Sequence, residues 1–329
     1  MISRRYRFIA LGGVLAIAAG TALATIGYPQ LAVYGAPRKA ASASTSPQAA
    51  QAKQAFYAAF MAQRYEALPE VTAALTAAYL KDPGDAEMAL LTGHAHLWRI
   101  SERGRDPAAG PGVTDALVLA NFYFNEAYRL RPGDHRIAGW LASTQMALGS
   151  VHADERAKRR GYFMLKESVH AFPEFNKFTL GYVMSRLPAG DPKLAEAVQA
   201  MWTNLDLCVG HKVDRRNPDL SALGSGSVPD GPTRVCFNGP HTPHNVEGFF
   251  LAFGDLLVKT GDAQLAKAVY LQARVSPAYE SWPFKALLEE RAATAQIRAA
   301  SFAARTDPSE LPDAMISTST RACAICHAS

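Results

Sequence analysis

The sequence predicts an all-α protein. From about residue 51 onward alanine and leucine dominate, and aromatic side chains recur at the spacing of one helix face. Clusters of proline, glycine and aspartate interrupt this pattern at intervals of roughly thirty to fifty residues, whereas the alternation of apolar and polar residues that is typical of strands is nearly absent. We therefore expect successive helices joined by turns.

The N-terminal segment, residues 1–34, has the pattern of a signal peptide or a membrane anchor. Three arginines among the first seven residues precede an apolar run, residues 8–26, that contains no charged side chain. The length of this run favours a retained anchor, whereas the Ala-Leu-Ala sequence at 22–24 offers a cleavage site. Both interpretations export the rest of the chain, so we expect a periplasmic protein, held at the inner membrane where residues 8–26 are retained.

Residues 35–50 lack large apolar side chains and are predicted to be a flexible linker between this segment and the folded domain. The formal net charge of +5 is small for 329 residues. No dense basic run with interleaved aromatic residues follows the linker, so nucleic acid is not an expected partner.

Two breaks in the helical pattern are nearly identical, Tyr-Leu-Lys-Asp-Pro-Gly-Asp at 79–85 and Tyr-Arg-Leu-Arg-Pro-Gly-Asp at 128–134, which indicates an internal repeat. The clearest repeat unit spans 247–277. Its spaced small and large residues are Phe250, Gly254, Leu257, Gly261, Asp262, Ala266, Tyr270, Ala273 and Pro277. This unit resembles a tetratricopeptide repeat, and weaker copies precede it.

The resemblance implies about five antiparallel helical hairpins over roughly residues 51–295: a helical-repeat region at 51–207, then a last repeat and closing helix at 245–303. It places Gly254 and Ala266 where the two helices of a hairpin touch. It also implies a surface that docks a partner protein. An irregular alanine-rich helical bundle would use the same residues as its core, and it remains the alternative.

Residues 208–244 form a long segment rich in glycine, proline, aspartate and serine, without helical periodicity. Cys208 and Cys236 lie near its ends, and in an oxidising compartment we expect them to form a disulfide. The alternatives are two free thiols, or a zinc or copper site in which these cysteines and His211 are joined by His241 or His244.

The tail, residues 304–329, carries the sequence Cys323-Ala-Ile-Cys326-His327, in which two thiols precede a histidine at the spacing used for covalent haem attachment. This motif resembles that of c-type cytochromes. The resemblance implies one covalent haem c, bound by Cys323 and Cys326, with His327 as the proximal ligand of the iron. Because only two residues follow the motif, upstream helices must cover the apolar haem. A chance match, a small disulfide or a metal site at these residues is the alternative.

The second axial ligand has several candidates. Met315 is the first, by residue type and by its place in an extended lead-in to the motif, although it could instead anchor the tail to the helices. His241 and His244, in a loop stiffened by prolines, are the others. His94 and His96 lie on different faces of a predicted helix, so we expect core or groove roles for them. An iron without a protein ligand in this position would be open to small molecules.

Three functions follow from these features. The first is a monohaem electron-transfer protein that docks a redox partner protein through its helical repeats. The second is a periplasmic scaffold or assembly factor whose tail binds haem or metal structurally. The third is a haem-dependent peroxidase or ligand sensor. No linear motif of a catalytic site is present, so the sequence predicts an electron carrier or binding protein rather than an enzyme.

Overall fold

The computed structural model describes residues 32–106, 108, 110–225, 228–304 and 315–329. The predicted signal or anchor run, residues 8–26, lies outside this part of the chain. The helical domain is the unit formed by residues 41–329. Within the described residues no helix is both long enough and apolar enough to cross a membrane.

The domain is all-α, as predicted, and its described residues contain no β-strand. The α-helices are α1 (Pro47–Met61), α2 (Leu68–Lys81), α3 (Ala86–Ser101), α4 (Gly112–Leu130), α5 (His135–Val151), α6 (Glu155–Ala171), α7 (Pro173–Met184), α8 (Leu194–Val209), α9 (Asn245–Lys259), α10 (Ala263–Leu271), α11 (Lys285–Ala304) and α12 (Ala324–His327). Short 3₁₀ turns lie at Tyr65–Ala67, Arg103–Arg105, Ser221–Gly224, Pro232–Cys236, Gln272–Val275, Tyr279–Ser281 and Ile316–Thr318.

The repeated Pro-Gly-Asp breaks end one helix and start the next. The aspartate of each break is an N-cap: the Asp85 carboxylate accepts hydrogen bonds from the first-turn amides of α3, and Asp134 does the same for α5. Asp262 caps α10 in the same way. Each cap satisfies backbone amides that have no partner inside the helix, which fixes where the helices begin.

Helices adjacent in sequence pack against each other along the domain. The arrangement is consistent with the predicted helical repeats. In the unit predicted at 247–277, α9 and α10 form the two helices, and Gly261 makes the turn between them with φ +92°. Gly254 lies so close to the ring of Tyr270 that a Cβ there would overlap it, as expected where two helices touch.

The segment 208–244 contains two 3₁₀ turns and is closed by the predicted disulfide between Cys208 and Cys236, whose Cα atoms are 5.8 Å apart. Because each sulfur is bonded to the other, neither thiol is available for the alternative zinc or copper site. The disulfide therefore ties the segment to the C-terminal end of α8, the helix that carries Cys208.

The predicted linker, residues 35–50, is only partly irregular. Helix α1 begins at Pro47, and Ser42 is hydrogen-bonded to the turn between α2 and α3. Its amide donates to the Gly84 carbonyl at 2.8 Å, and its hydroxyl donates to the Asp82 carboxylate at 2.7 Å. A serine hydroxyl close to an aspartate-rich turn can donate to a carboxylate there. The composition of residues 35–50 does not reveal this contact.

The C-terminal segment, residues 315–329, folds back into the domain. Met315, Ile316 and Ile325 are buried in the same core as α9. The short helix α12 packs against both α9 and α1. The segment therefore joins the beginning and the end of the helical domain, and it places the Cys-x-x-Cys-His motif inside the structure rather than on a free tail.

Candidate functional site

The motif residues lie at the wall of an apolar cavity of about 420 Å³. Cys323, Cys326 and His327 all line it, together with side chains from α1, α3, α5, α7, α8 and α9. Aromatic and aliphatic side chains form most of the wall. The volume and the lining are those of a site for a largely apolar ligand of small-molecule size.

A buried carboxylate positions the start of α12. The Glu102 side chain is fully buried, and its Oε1 accepts hydrogen bonds from the backbone amides of Cys323 (3.0 Å) and Ala324 (3.2 Å). Its Oε2 accepts from the indole of Trp98 and from Arg105, each at 2.9 Å. Glu102 thus caps the motif helix with a charge that is itself neutralised by Arg105.

Four further hydrogen bonds hold the C-terminal segment in place. Tyr182 donates to the Ala322 carbonyl and Trp282 donates to the Ile325 carbonyl, both at 2.9 Å. The amide of His244 donates to the Cys326 carbonyl at 3.1 Å. The amide of Ser329 donates to the Met61 carbonyl at 3.0 Å. Because these contacts come from distant parts of the chain, the two thiols are fixed relative to the cavity.

The imidazole of His327 is held in one tautomer. Its Nδ1 is 2.6 Å from the backbone carbonyl of His241, and because a carbonyl oxygen only accepts, Nδ1 must carry the proton. Nε2 is then the nitrogen with a free lone pair, which is the form that binds a metal. The ring packs against Phe60 at 4.6 Å between centroids. Burial lowers the pKa of His327 to about 4, so the ring is neutral at pH 7.

The two thiols of the motif are free cysteines in a low-dielectric setting. Burial raises the pKa of both, to about 12 for Cys326, where the nearby Glu247 carboxylate adds to the effect. Cys326 also packs tightly on α9, because a Cβ at Gly248 would overlap its sulfur. In the part of the chain that the structure describes, no group of three or more His, Cys, Asp or Glu side chains is arranged to hold a metal ion.

Two other histidines line the cavity. The ring of His241 stacks on Tyr57 at 3.7 Å between centroids, and its own carbonyl holds His327. The second is His94 of α3, whose ring meets the rings of Phe124 and Trp140 edge-on at 5.2 Å and 5.5 Å. Burial, with a smaller contribution from the nearby His327, lowers the pKa of His94 to about 4, so this ring too is neutral at pH 7.

His96 lies on another face of α3, as its spacing from His94 predicts, and it stacks on Tyr123 at 5.9 Å. Two of the predicted second ligands lie away from the cavity lining. Met315 is buried in the core. His244 is buried with its Nδ1 3.3 Å from the Glu247 carboxylate. Of the three predicted candidates, the structure places only His241 at the cavity.

No protein family, curated protein or solved structure matches this chain. The chemistry of the cavity is therefore the basis for a function. Two residues that shape the site, Glu102 and His94, were not singled out for these roles by the sequence. Glu102 ends a helix far from the motif in sequence, and nothing in its local sequence signals that its carboxylate caps residues 323–324.

Proposed function

We propose that the protein is an exported electron carrier similar to c-type cytochromes, with one haem c attached covalently to Cys323 and Cys326 and with its iron bound by His327. The observation that carries this proposal is the convergence of both thiols and the imidazole of the motif on one apolar cavity. A five-residue motif that matched by chance would have no reason to lie in such a cavity, between the first and ninth helices.

The residues present fit a haem. Covalent attachment needs two free thiols close to an imidazole, and Cys323, Cys326 and His327 provide them. A porphyrin needs an apolar, largely aromatic enclosure, which the cavity wall supplies. His327 is held by the His241 carbonyl so that Nε2 is free for iron. When bound, haem would supply one-electron redox chemistry at its iron.

The residues around the cavity favour electron transfer over peroxidase chemistry. A peroxidase needs a distal base and a free charged group to stabilise the developing charge. Among the described residues that line the cavity, Arg136 is the only lysine or arginine. Its guanidinium is bonded to the Asp134 carboxylate through two nitrogens, at 3.0 Å and 2.8 Å, at the start of α5. The guanidinium of Arg136 is therefore paired with the carboxylate that caps α5 and is not a free charge.

The helical domain would dock the redox partner. Helical-repeat proteins use their surfaces mainly to bind other proteins. On α4 the apolar side chains Val118, Leu119 and Phe122 are 46 %, 40 % and 49 % exposed and lie on one face. The same exposed face favours the second candidate function, a scaffold in which haem only orders the C-terminal segment. Reversible one-electron reduction of the bound haem by a partner would favour the carrier.

We place the protein in the periplasm, with residues 8–26 as its signal or its membrane anchor. The Cys208–Cys236 disulfide supports this compartment, because disulfides persist in oxidising environments and are rare in the cytosol.

The test is to express the full chain together with a c-type haem maturation system. Haem-stained denaturing gels detect covalent haem, and a pyridine haemochrome spectrum reports its thioether bonds. We expect one haem per chain in the wild type and none in the double variant Cys323→Ala with Cys326→Ala. A double variant of the disulfide, Cys208→Ser with Cys236→Ser, removes as many cysteines outside the motif and should retain covalent haem. A wild-type chain without covalent haem would overturn the proposal.

A further inference from the structure

We propose that the imidazole of His94 is the second axial ligand of the haem iron, on the side opposite His327, so that the centre is coordinated by two histidines. The inference rests on the proposed covalent haem. It concerns a residue that belongs to no attachment motif and is more than two hundred positions away from His327 in sequence.

The first support is position. His94 lies on α3, and it lines the same cavity as Cys323, Cys326 and His327. A ligand on a helix is held more rigidly than one on a loop, and α3 is anchored on both sides by buried side chains. The edge-on rings of Phe124 and Trp140 restrict the rotation of the imidazole.

The second support is the hydrogen bonding of the ring. Within the described residues, neither nitrogen of His94 makes a hydrogen bond, and the half-buried ring lines the cavity. Its nitrogens are therefore open to a ligand that enters the cavity. Coordination of a metal by one nitrogen would use this free position.

The third support is the placement of the other candidates. The backbone of His241 lies on the Nδ1 side of His327. A second ligand would have to reach the iron from the other face of the porphyrin, away from the His327 ring. The backbone next to Met315 is tied to the core, because the Ile316 amide donates to the Asp255 carboxylate at 2.7 Å. His244 is held by Glu247. His94 is the candidate that lines the cavity without such an attachment.

Two histidine ligands would define the chemistry of the centre. They close both axial positions, so the iron would be low-spin and would not bind carbon monoxide readily. Methionine as a second ligand raises the reduction potential relative to such a centre. A bis-histidine haem therefore fits a carrier of low-potential electrons, and it leaves no open site for peroxide or for a gas sensor.

The test uses the full chain with covalent haem. We expect the wild type to show a low-spin optical and electron paramagnetic resonance spectrum, with no spectral change on adding carbon monoxide to the reduced protein. In His94→Ala we expect a high-spin spectrum, carbon monoxide binding, and recovery of the low-spin spectrum with added imidazole. The matched control His96→Gln, which changes the histidine on another face of the same helix, should keep the wild-type spectrum.

A second variant covers the case in which His94→Ala does not fold. His94→Met keeps a long side chain able to bind iron and should raise the midpoint potential. Near-infrared magnetic circular dichroism of the wild type should show a bis-imidazole band.

A wild type that is high-spin or has a methionine ligand overturns the inference. Loss of the low-spin spectrum in His241→Gln but not in His94→Ala overturns it as well. In each of these cases a positive haem stain shows that the covalent haem of the proposed function is present and that only the assignment of the second ligand is wrong, whereas a negative stain shows that the proposed function itself has failed.

Discussion

Nδ1 of His327 donates a hydrogen bond of 2.6 Å to the backbone carbonyl of His241. This contact joins the haem-type motif at the end of the chain to the irregular segment 208–244. It gives that long segment a role, since the loop positions the imidazole that would bind iron. The Cys208–Cys236 bridge restrains the same loop five residues before His241.

The first prediction concerns this disulfide. Replacing both Cys208 and Cys236 with serine should lower the free energy of unfolding by about 3 kcal/mol. The reason is that the unfolded chain then lacks the cross-link between two residues that are 28 positions apart. Urea unfolding followed by circular dichroism measures the change. Treatment of the wild type with a reductant should lower its midpoint by a similar amount and leave the double variant unaffected. Equal midpoints for wild type and variant would contradict the prediction.

The second prediction concerns the cap on the motif helix. Glu102→Ala leaves the amides of Cys323 and Ala324, the Trp98 indole and Arg105 without their shared acceptor. We expect a loss of about 3 kcal/mol in the free energy of unfolding. Glu102→Gln keeps one acceptor oxygen for the two amides, so its loss should be smaller, about 1–2 kcal/mol.

Glu70 is an exposed glutamate near the start of α2 and is the matched control. Glu70→Ala should change stability by no more than about 0.5 kcal/mol. Denaturant unfolding of the three variants measures the series. A Glu102→Ala protein as stable as Glu70→Ala would show that the carboxylate does not hold α12.

The third prediction concerns Gly248 of α9. A Cβ at this position would overlap the sulfur of Cys326 and would also press on the backbone of Ile325, at 3.2 Å. Gly248→Ala should therefore destabilise the protein by about 1–3 kcal/mol, despite the higher helix propensity of alanine. It should also lower the yield of covalent haem, because it displaces one of the two thiols.

Gly112, in the first turn of α4, has no atom within 4 Å of the position that its Cβ would take. Gly112→Ala should be neutral or slightly stabilising, with normal haem yield. Thermal unfolding and haem-stained gels on both variants make the comparison. Similar results for the two variants would mean that the contact between α9 and Cys326 is not tight.

The local features of this protein could be predicted from sequence, and its long-range ones could not. The Pro-Gly-Asp breaks contain their own helix caps, so hairpin positions follow from neighbouring residues. The 247–277 unit was recognisable because Gly254 and Tyr270 lie within one hairpin. The contacts of Glu102 with Cys323 and the approach of His94 to His327 depend on how all the intervening helices stack, and no local pattern encodes that path.

The same reasoning explains the proposed second ligands. Met315 was the first candidate because it lies close to His327 in sequence, but proximity along the chain does not determine which side chain reaches a cavity. The other role considered for Met315, an anchor of the tail on the helices, fits its burial with Ile316 in the core. Their burial fixes the segment and leaves a distant helix to supply the residue that faces the motif.

The last prediction concerns pH and the buried carboxylate of Asp255. This side chain is fully buried, and it accepts hydrogen bonds from Tyr270 at 2.6 Å, Arg298 at 2.9 Å and the Ile316 amide at 2.7 Å, as well as from Arg291. Burial alone would raise the pKa of Asp255, but Arg291 and Arg298 lower it below its ordinary value of 3.8.

A carboxyl group with a lowered pKa in the folded state stabilises the protein above its unfolded pKa, and this contribution is lost as the pH falls towards the folded value. Stability should therefore fall below about pH 4, where the unfolded chain takes up a proton that the folded chain does not. Asp255→Asn removes the charge that pairs with the buried Arg291 and the partly buried Arg298, and it should cost about 3–5 kcal/mol at pH 7.

Since the variant has no carboxyl group to protonate at this position, its deficit relative to the wild type should shrink as the pH falls from 4 to 2. Urea unfolding at several pH values measures this convergence. Asp115 on α4 is exposed, and Asp115→Asn should track the wild type throughout. A deficit for Asp255→Asn that stays constant between pH 7 and pH 2 would mean that the Asp255 carboxylate is not the group that anchors the C-terminal segment through its charge.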